Sequence, residues 1–80
     1  MKVSVLLFAL YRERMGTSQI EIELSDRATS VELMACLRKE YPSLPILDSV
    51  LIAVNSEYVD SDAPLHDGDE VAIIPPVSGG

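Results

Sequence analysis

The near-continuous apolar run VSVLLFAL at Val3–Leu10 dictates the centre of whatever this chain builds. It is rich in β-formers and runs together with little alternation, the pattern of a strand covered on both faces. A chain of 80 residues buries only roughly 60% of the surface its unfolded form exposes, so it has one thin core and no room for a pocket closed on all sides. The other strongly apolar strand, Glu70–Ile74, lies near the opposite end of the sequence. Both runs need the same core, so they are expected to pair at its centre. Any chemistry this chain joins is expected to draw much of its site from a partner.

The segments between them alternate in type. Tyr11–Met15 has room for one helical turn, closed by Gly16. Gln19–Leu24 sets Ile20, Ile22 and Leu24 on one face and Gln19, Glu21 and Glu23 on the other, a half-buried strand. Thr29–Tyr41 is the strongest helix. Thr29 and Glu32 have capping-box spacing, Leu33, Met34, Leu37 and Tyr41 share a face, Arg38 and Lys39 suit the negative end of the helix dipole, and Pro42 stops it. Pro42 through Pro45 reads as a loop. Leu51–Val54, a turn at Asn55-Ser56 and a return strand at Glu57–Val59 follow. Leu65–Asp69 is a turn with Gly68 free to take a positive φ, and Glu70–Ile74 ends at Pro75-Pro76, which cannot extend a ladder. The order ββαβββ, with one main helix across one face of a mixed sheet, is an α+β arrangement.

Hydrophobic content of 48% with 24% charged residues is that of a globular domain and argues against disorder. Lys2 before the apolar run imitates a signal peptide, but no small-residue cleavage site follows and Arg12-Glu13-Arg14 comes at once. A buried strand explains the same residues. No stretch approaches the ~20 apolar residues of a transmembrane helix. The single cysteine, Cys36, excludes an internal disulfide framework and fits a reducing cytosol, so a cytoplasmic protein is expected. All six basic residues lie with five acids in residues 1–39, a net of +1, whereas residues 40–80 hold eight acids and no Lys or Arg, a net of −8. Such a half cannot grip phosphates, which disfavours nucleic acid and anionic membrane as partners. It fits steering toward a basic protein surface, or simple solubility.

The C-terminus is the most unusual segment. Two closing glycines arise by chance in about one chain in two hundred. Pro75-Pro76 stiffens the exit, and Val77-Ser78-Gly79-Gly80 has no pattern that would pack. The expected division is a domain over residues 1–76 and a flexible tail over 77–80. Without Cβ atoms, a Gly-Gly end can thread a channel too narrow for side chains and deliver the α-carboxylate of Gly80 alone. A frayed end is the plainer reading of the same residues. Other candidates are weaker. Cys36 falls mid-helix near the apolar face, where an inert thiol is the simpler account than a persulfide carrier. His66 has no second His or Cys near it in sequence, and Asp60, Asp62, Asp67 and Asp69 break EF-hand spacing with Pro64 at a would-be ligand position, so no metal site is expected. Arg12 suits an interface and a surface charge equally.

Phe8-Ala9 with Arg12-Glu13, the stretch LHDGDEV at Leu65–Val71, and above all the ending Pro75-Pro76-Val77-Ser78-Gly79-Gly80 resemble the molybdopterin synthase small subunit, within the ubiquitin-like sulfur carriers. The resemblance spans essentially the whole chain. It implies a β-grasp (ubiquitin-like) fold that binds no cofactor of its own. It also implies that an ATP-dependent adenylating enzyme activates the Gly80 carboxylate, that a sulfur donor protein converts it to a thiocarboxylate, and that the large synthase subunit receives the tail. Sulfur would then pass to cyclic pyranopterin monophosphate, with catalytic side chains on the partner. By position, Gly80 would bear the sulfur, while Ile74, Pro75, Pro76, Val77, Ser78 and Gly79 would meet the partner. Family members place an aromatic just before the Pro-Pro pair. Here Ile73-Ile74 stand, which keeps an apolar patch but changes its shape. A thiazole-pathway carrier, a lysine-joined ubiquitin-like modifier and a β-grasp adaptor that merely binds are the alternatives.

Overall fold

The structure is a computed structural model that describes residues 1–44, 46, 50–60 and 62–75. Strand β1 (Lys2–Leu7) runs into helix α1 (Ala9–Met15), followed by β2 (Gln19–Glu23), α2 (Ser30–Glu40), β3 (Leu51–Val54), β4 (Glu57–Tyr58) and β5 (Glu70–Ile74). The five strands form one mixed sheet in the order β2-β1-β5-β3-β4. The first and last strands pair in parallel at its centre, with Val5 opposite Val71 and Leu7 opposite Ile73. Hairpin partners flank them, β2 antiparallel to β1 and β3 antiparallel to β5. This is the β-grasp expected.

One face of the sheet carries the core. Val3, Val5 and Leu7 of β1, Ile22 of β2, Ile52 of β3, and Val71 and Ile73 of β5 pack against Leu33, Met34 and Leu37 of α2. Burying each of these side chains is worth about 1.5–3 kcal/mol, and the alternation along every strand fixes its register, because a one-residue slip would turn the whole set to solvent. Tyr11 of α1 joins the same cluster and is buried.

The Val3–Leu10 run is not the fully covered strand that its composition suggests. Strand β1 stops at Leu7, and Phe8 and Ala9, the latter at φ 50°, turn the chain into α1. Both helices contribute to the core on one face, so Ser4 and Leu6 on the other remain half-buried. Helix α1 is two residues longer at its start than the turn anticipated. It closes as expected at Gly16 (φ 72°), whose N–H donates to the Arg12 carbonyl at 2.9 Å.

The capping box of α2 does not form. Thr29 is the N-cap, but its side chain caps no amide. Its backbone is held in a bridge with Pro64, and Glu32 instead accepts a hydrogen bond from the Ser25 hydroxyl at 3.4 Å. The neighbouring Ser30 ties the helix start to the rest of the molecule. It is fully buried, its Oγ accepts from the Ala63 N–H at 2.9 Å, and its own N–H donates to the Ala63 carbonyl at 2.8 Å. At the other end Tyr41 caps the helix and Pro42 begins a turn. The Asn55-Ser56 turn has φ values of 50° and 73°, the paired positive angles that a two-residue hairpin needs.

Candidate functional site

Strand β5 delivers the chain to one end of the sheet. Ile74, half-buried, lies opposite Leu51 of β3, which is 49% exposed. Pro75 follows as the last described residue. Phe8 and Leu10, also exposed, leave β1 at the same end, because β1 and β5 run parallel. Ile74 thus shares the end of the sheet with the exposed side chains of Leu51, Phe8 and Leu10. The other expected tail residues, Pro76, Val77, Ser78, Gly79 and Gly80, lie outside the described residues.

The opposite end of β5 is anchored by polar groups. Asp69, 9% exposed, has its Oδ1 on the Asn55 Nδ2 at 3.0 Å and its Oδ2 on the His66 N–H at 2.8 Å. Asn55 completes the clasp by accepting the Glu70 N–H on its Oδ1 at 3.0 Å, while its own N–H donates to the Glu70 carbonyl at 2.8 Å. Gly68 takes φ 85°, and its N–H donates to the Lys2 carbonyl at 2.8 Å. The Asp67 carboxylate accepts the Lys2 N–H at 2.8 Å. The acidic turn thus works as a splice that holds the start of β5 against β1 and β3. Asp67 accepts a backbone amide and Asp69 accepts one backbone amide and the Asn55 side-chain amide, and among the described residues no group of three His, Cys, Asp or Glu side chains converges as a metal would require.

Cys36 sits half-buried on α2 against the core. Burial pushes its thiol above the ordinary cysteine range, the charge and hydrogen bond of Glu40 push further, and Lys39 opposes them. That keeps it a neutral, poorly nucleophilic thiol. His66 is exposed, with Nδ1 3.8 Å from Asp69 Oδ2. Arg12 lies exposed on α1. Among the described residues no helix is long and apolar enough to cross a membrane. The sequence places Leu51 and Tyr58 in strands and Asn55 in a turn, but not the exposure of the first two or the clasp made by the third. The first two become visible as surface only once the strand pairing is known, whereas an Asn at a hairpin turn followed by a DGD turn was a readable hint of a clasp.

Known proteins share this architecture and this length. The molybdopterin synthase sulfur carrier subunit of Chlamydomonas reinhardtii is 44% identical over 84 aligned residues that cover 100% of both chains. A putative molybdopterin converting factor subunit 1 from Pyrococcus furiosus superposes with a TM-score of 0.81 at 36% identity, covering 96% of this chain and 99% of that one. A chain in the protein–protein complex of subunits 1 and 2 of molybdopterin-converting factor from Helicobacter pylori matches at TM-score 0.70 and 31% identity, with 100% of both chains covered. The sequence model of the ThiS family matches residues 5–80. With a central β1–β5 pair, one long helix on one face and a family match across nearly every residue, the chain belongs to the ThiS family of ubiquitin-like sulfur carriers.

Proposed function

We propose that this chain is the sulfur carrier subunit of a two-component molybdopterin synthase. The observation that carries the reading is its similarity, over its full length, to a molybdopterin synthase sulfur carrier subunit. The exit of β5 beside an exposed apolar strip supports it. Residues 1–76 act as the body and residues 77–80 as the arm.

The chemistry follows from what a terminal carboxylate lacks. It is a poor electrophile, so a Gly80 oxygen first attacks the α-phosphorus of ATP on an adenylating enzyme, and pyrophosphate leaves. The acyl adenylate now carries AMP as a leaving group. Sulfide-level sulfur delivered by a donor protein attacks the carbonyl carbon, the C–O bond to AMP breaks, and Gly80 is left as a thiocarboxylate. ATP is consumed on the activating enzyme and is not held by this chain. The arm, Val77 through Gly80, enters the large synthase subunit, with Pro75-Pro76 leading into it and Ile74 at its root. Each thiocarboxylate then transfers its one sulfur to cyclic pyranopterin monophosphate within a reducing cytosol and returns by hydrolysis to the Gly80 carboxylate, so two charged carriers supply the two sulfurs of the dithiolene.

The test is intact-mass analysis after incubation with the cognate adenylating enzyme, ATP and a sulfur donor. The C-terminal peptide is expected to exchange one oxygen for sulfur, and an unchanged mass beside a demonstrably active enzyme refutes the reading. A Gly80→Ala chain is expected to melt within about 0.5 kcal/mol of the parent. Its sulfur transfer is expected to fall by about a hundredfold, because a methyl displaces the reacting centre by ~1 Å. Conjugates to lysines instead of a pterin product would reassign the chain as a protein modifier.

A further inference from the structure

Strand β2 is one edge of the sheet, and its outward side is unpaired over a short, defined stretch. The Leu24 N–H donates to the Met1 carbonyl and the Leu7 N–H to the Ser18 carbonyl, both at 2.8 Å. Hydrogen-bonded pairs alternate along an antiparallel ladder, so with Val3 opposite Ile22 and Val5 opposite Ile20 those two residues of β2 spend their N–H and C=O groups on β1. The backbone groups of Gln19, Glu21 and Glu23 point away from the sheet. Thr17 closes the first of these positions, since its hydroxyl donates to the Gln19 carbonyl at 3.2 Å and accepts the Gln19 N–H at 3.5 Å. Among the described residues nothing pairs with the backbone of Glu21 or Glu23. Their side chains are exposed on the face away from α2, whereas Ile20, Ile22 and Leu24 lie on the core side. The opposite edge, β4, is only two residues long.

We propose that this edge accepts an extended segment of another protein as an added antiparallel strand, and that the segment carries Lys or Arg on either side of an apolar residue. The N–H and C=O of Glu21 and of Glu23 have the spacing such a strand requires, and antiparallel pairing is the more stable per residue. Cross-strand partners share a face, so the guest residues opposite Glu21 and Glu23 stand beside two carboxylates. Opposite charges stabilise such a pair, and like charges destabilise it. The guest residue between them lies opposite Ile22 on the core side, with half-buried Ile20 and Leu24 diagonal to it. Glu32 of α2 adds a carboxylate near the end of the strand, where it accepts the Ser25 hydroxyl at 3.4 Å. Among the described residues Lys2 is the one cation across from the row, opposite Glu23 on the β1 side. The same carboxylates disfavour a second copy of this chain, because two antiparallel β2 edges would set glutamates against glutamates. Strand β1 separates this edge from β5, so the site is distinct from the sheet end where the chain leaves toward its C-terminus. The inference does not rest on the carrier reading.

The experiment adds a short synthetic peptide that alternates Lys and Val to the intact chain and follows its backbone amides by NMR. The Glu21 and Glu23 amides, open to water in the free chain, are expected to exchange about tenfold more slowly with the peptide, while those of Ile20 and Ile22, already paired with β1, change less. A peptide N-methylated at its Lys residues is expected to lose binding, because those N–H groups face β2. One with Glu in place of Lys is expected to bind several-fold more weakly. The pair Glu21→Lys with Glu23→Lys, checked for folding by circular dichroism, is expected to reverse the preference between the Lys and Glu peptides. No slowing at Glu21 and Glu23 with millimolar Lys-Val peptide would overturn the proposal. Slowing confined to the β4 edge, or binding that N-methylation leaves intact, would do the same. Slow exchange of these two amides in the concentrated chain alone, lost on dilution, would assign the edge to a second copy and overturn it too.

Discussion

Replacing Asn55 should expose how much of the sheet depends on one amide. Asn55→Gly keeps the positive φ of the turn without steric cost but removes both side-chain hydrogen bonds. The bond to the Asp69 carboxylate is charge-assisted and half-buried, and such bonds are worth about 1.5–3 kcal/mol. The bond from the exposed Glu70 N–H is replaceable by water and sits at the low end, about 0.5 kcal/mol. The expected loss is therefore about 2–3 kcal/mol, or a fall in melting temperature of roughly 10–20 °C for a domain of this size. Asn55→Ala should lose a further ~1 kcal/mol or more, since a Cβ disfavours the left-handed conformation. Asn55→Asp is the sharper test. It still accepts the Glu70 N–H but places a second carboxylate about 3 Å from Asp69, so at neutral pH it should be less stable than Asn55→Gly and should recover in mild acid. Urea unfolding followed by circular dichroism measures all three, with Asp69→Asn closing a double-mutant cycle. An Asn55→Gly chain within 0.5 kcal/mol of the parent, or an Asn55→Asp chain more stable than Asn55→Gly at neutral pH, would refute the clasp as a source of stability.

Three other perturbations separate the competing accounts of local structure. Ser30→Ala leaves the Ala63 N–H without its partner and should cost about 1–3 kcal/mol in urea unfolding, whereas Thr29→Ala should stay within about 0.5 kcal/mol because that hydroxyl caps nothing. Gly68→Ala should lose about 1–2 kcal/mol from its φ of 85° alone, since an added Cβ meets nothing within 4 Å, and Gly68→Asn should recover part of that loss in the same assay. Cys36 should react with iodoacetamide more slowly in the folded chain than in urea near pH 8. Its raised thiol pKa contributes stability that is complete below the ordinary cysteine range and is lost as pH rises through the raised value; Cys36→Ala should abolish that alkaline loss.

The elements with a clean period were legible in the sequence, and the contacts between distant polar groups were not. Alternation placed Ile20 and Ile22 correctly, and the 3.6-residue spacing placed Leu33, Met34 and Leu37 on the buried face of α2. The central pairing of the first and last strands also followed from their apolarity. Composition misread the far side of β1, because a run of hydrophobic residues does not reveal whether a second layer exists to cover it. The Thr29–Glu32 capping box does not form: a backbone bridge to Pro64 holds the segment around Thr29 and the Ser25 hydroxyl donates to the Glu32 carboxylate, pairings that the local spacing does not reveal. That Ile74 stands opposite Leu51, and Ala53 opposite Tyr58, follows only from strand register, which the sequence does not print. Charge counted by halves of the sequence separated Glu21 and Glu23 from Glu70, which the fold places on one face.

The parallel pairing of β1 with β5 has a kinetic consequence. The hydrogen bond from the Lys2 N–H to Asp67 spans 65 residues of sequence, and closing such a loop costs roughly 3.7 kcal/mol of chain entropy beyond a constant term. Neither central strand can be satisfied until the other arrives, so the β1–β2 hairpin and α2 must wait, unprotected, for the last strand. Long-range closures of this kind slow folding relative to helical proteins of equal stability. They also make it all-or-none. During synthesis, a chain whose β5 is still missing has no centre to its sheet. The centre of the sheet therefore comes into being only when the strand leading to the C-terminal segment has been added.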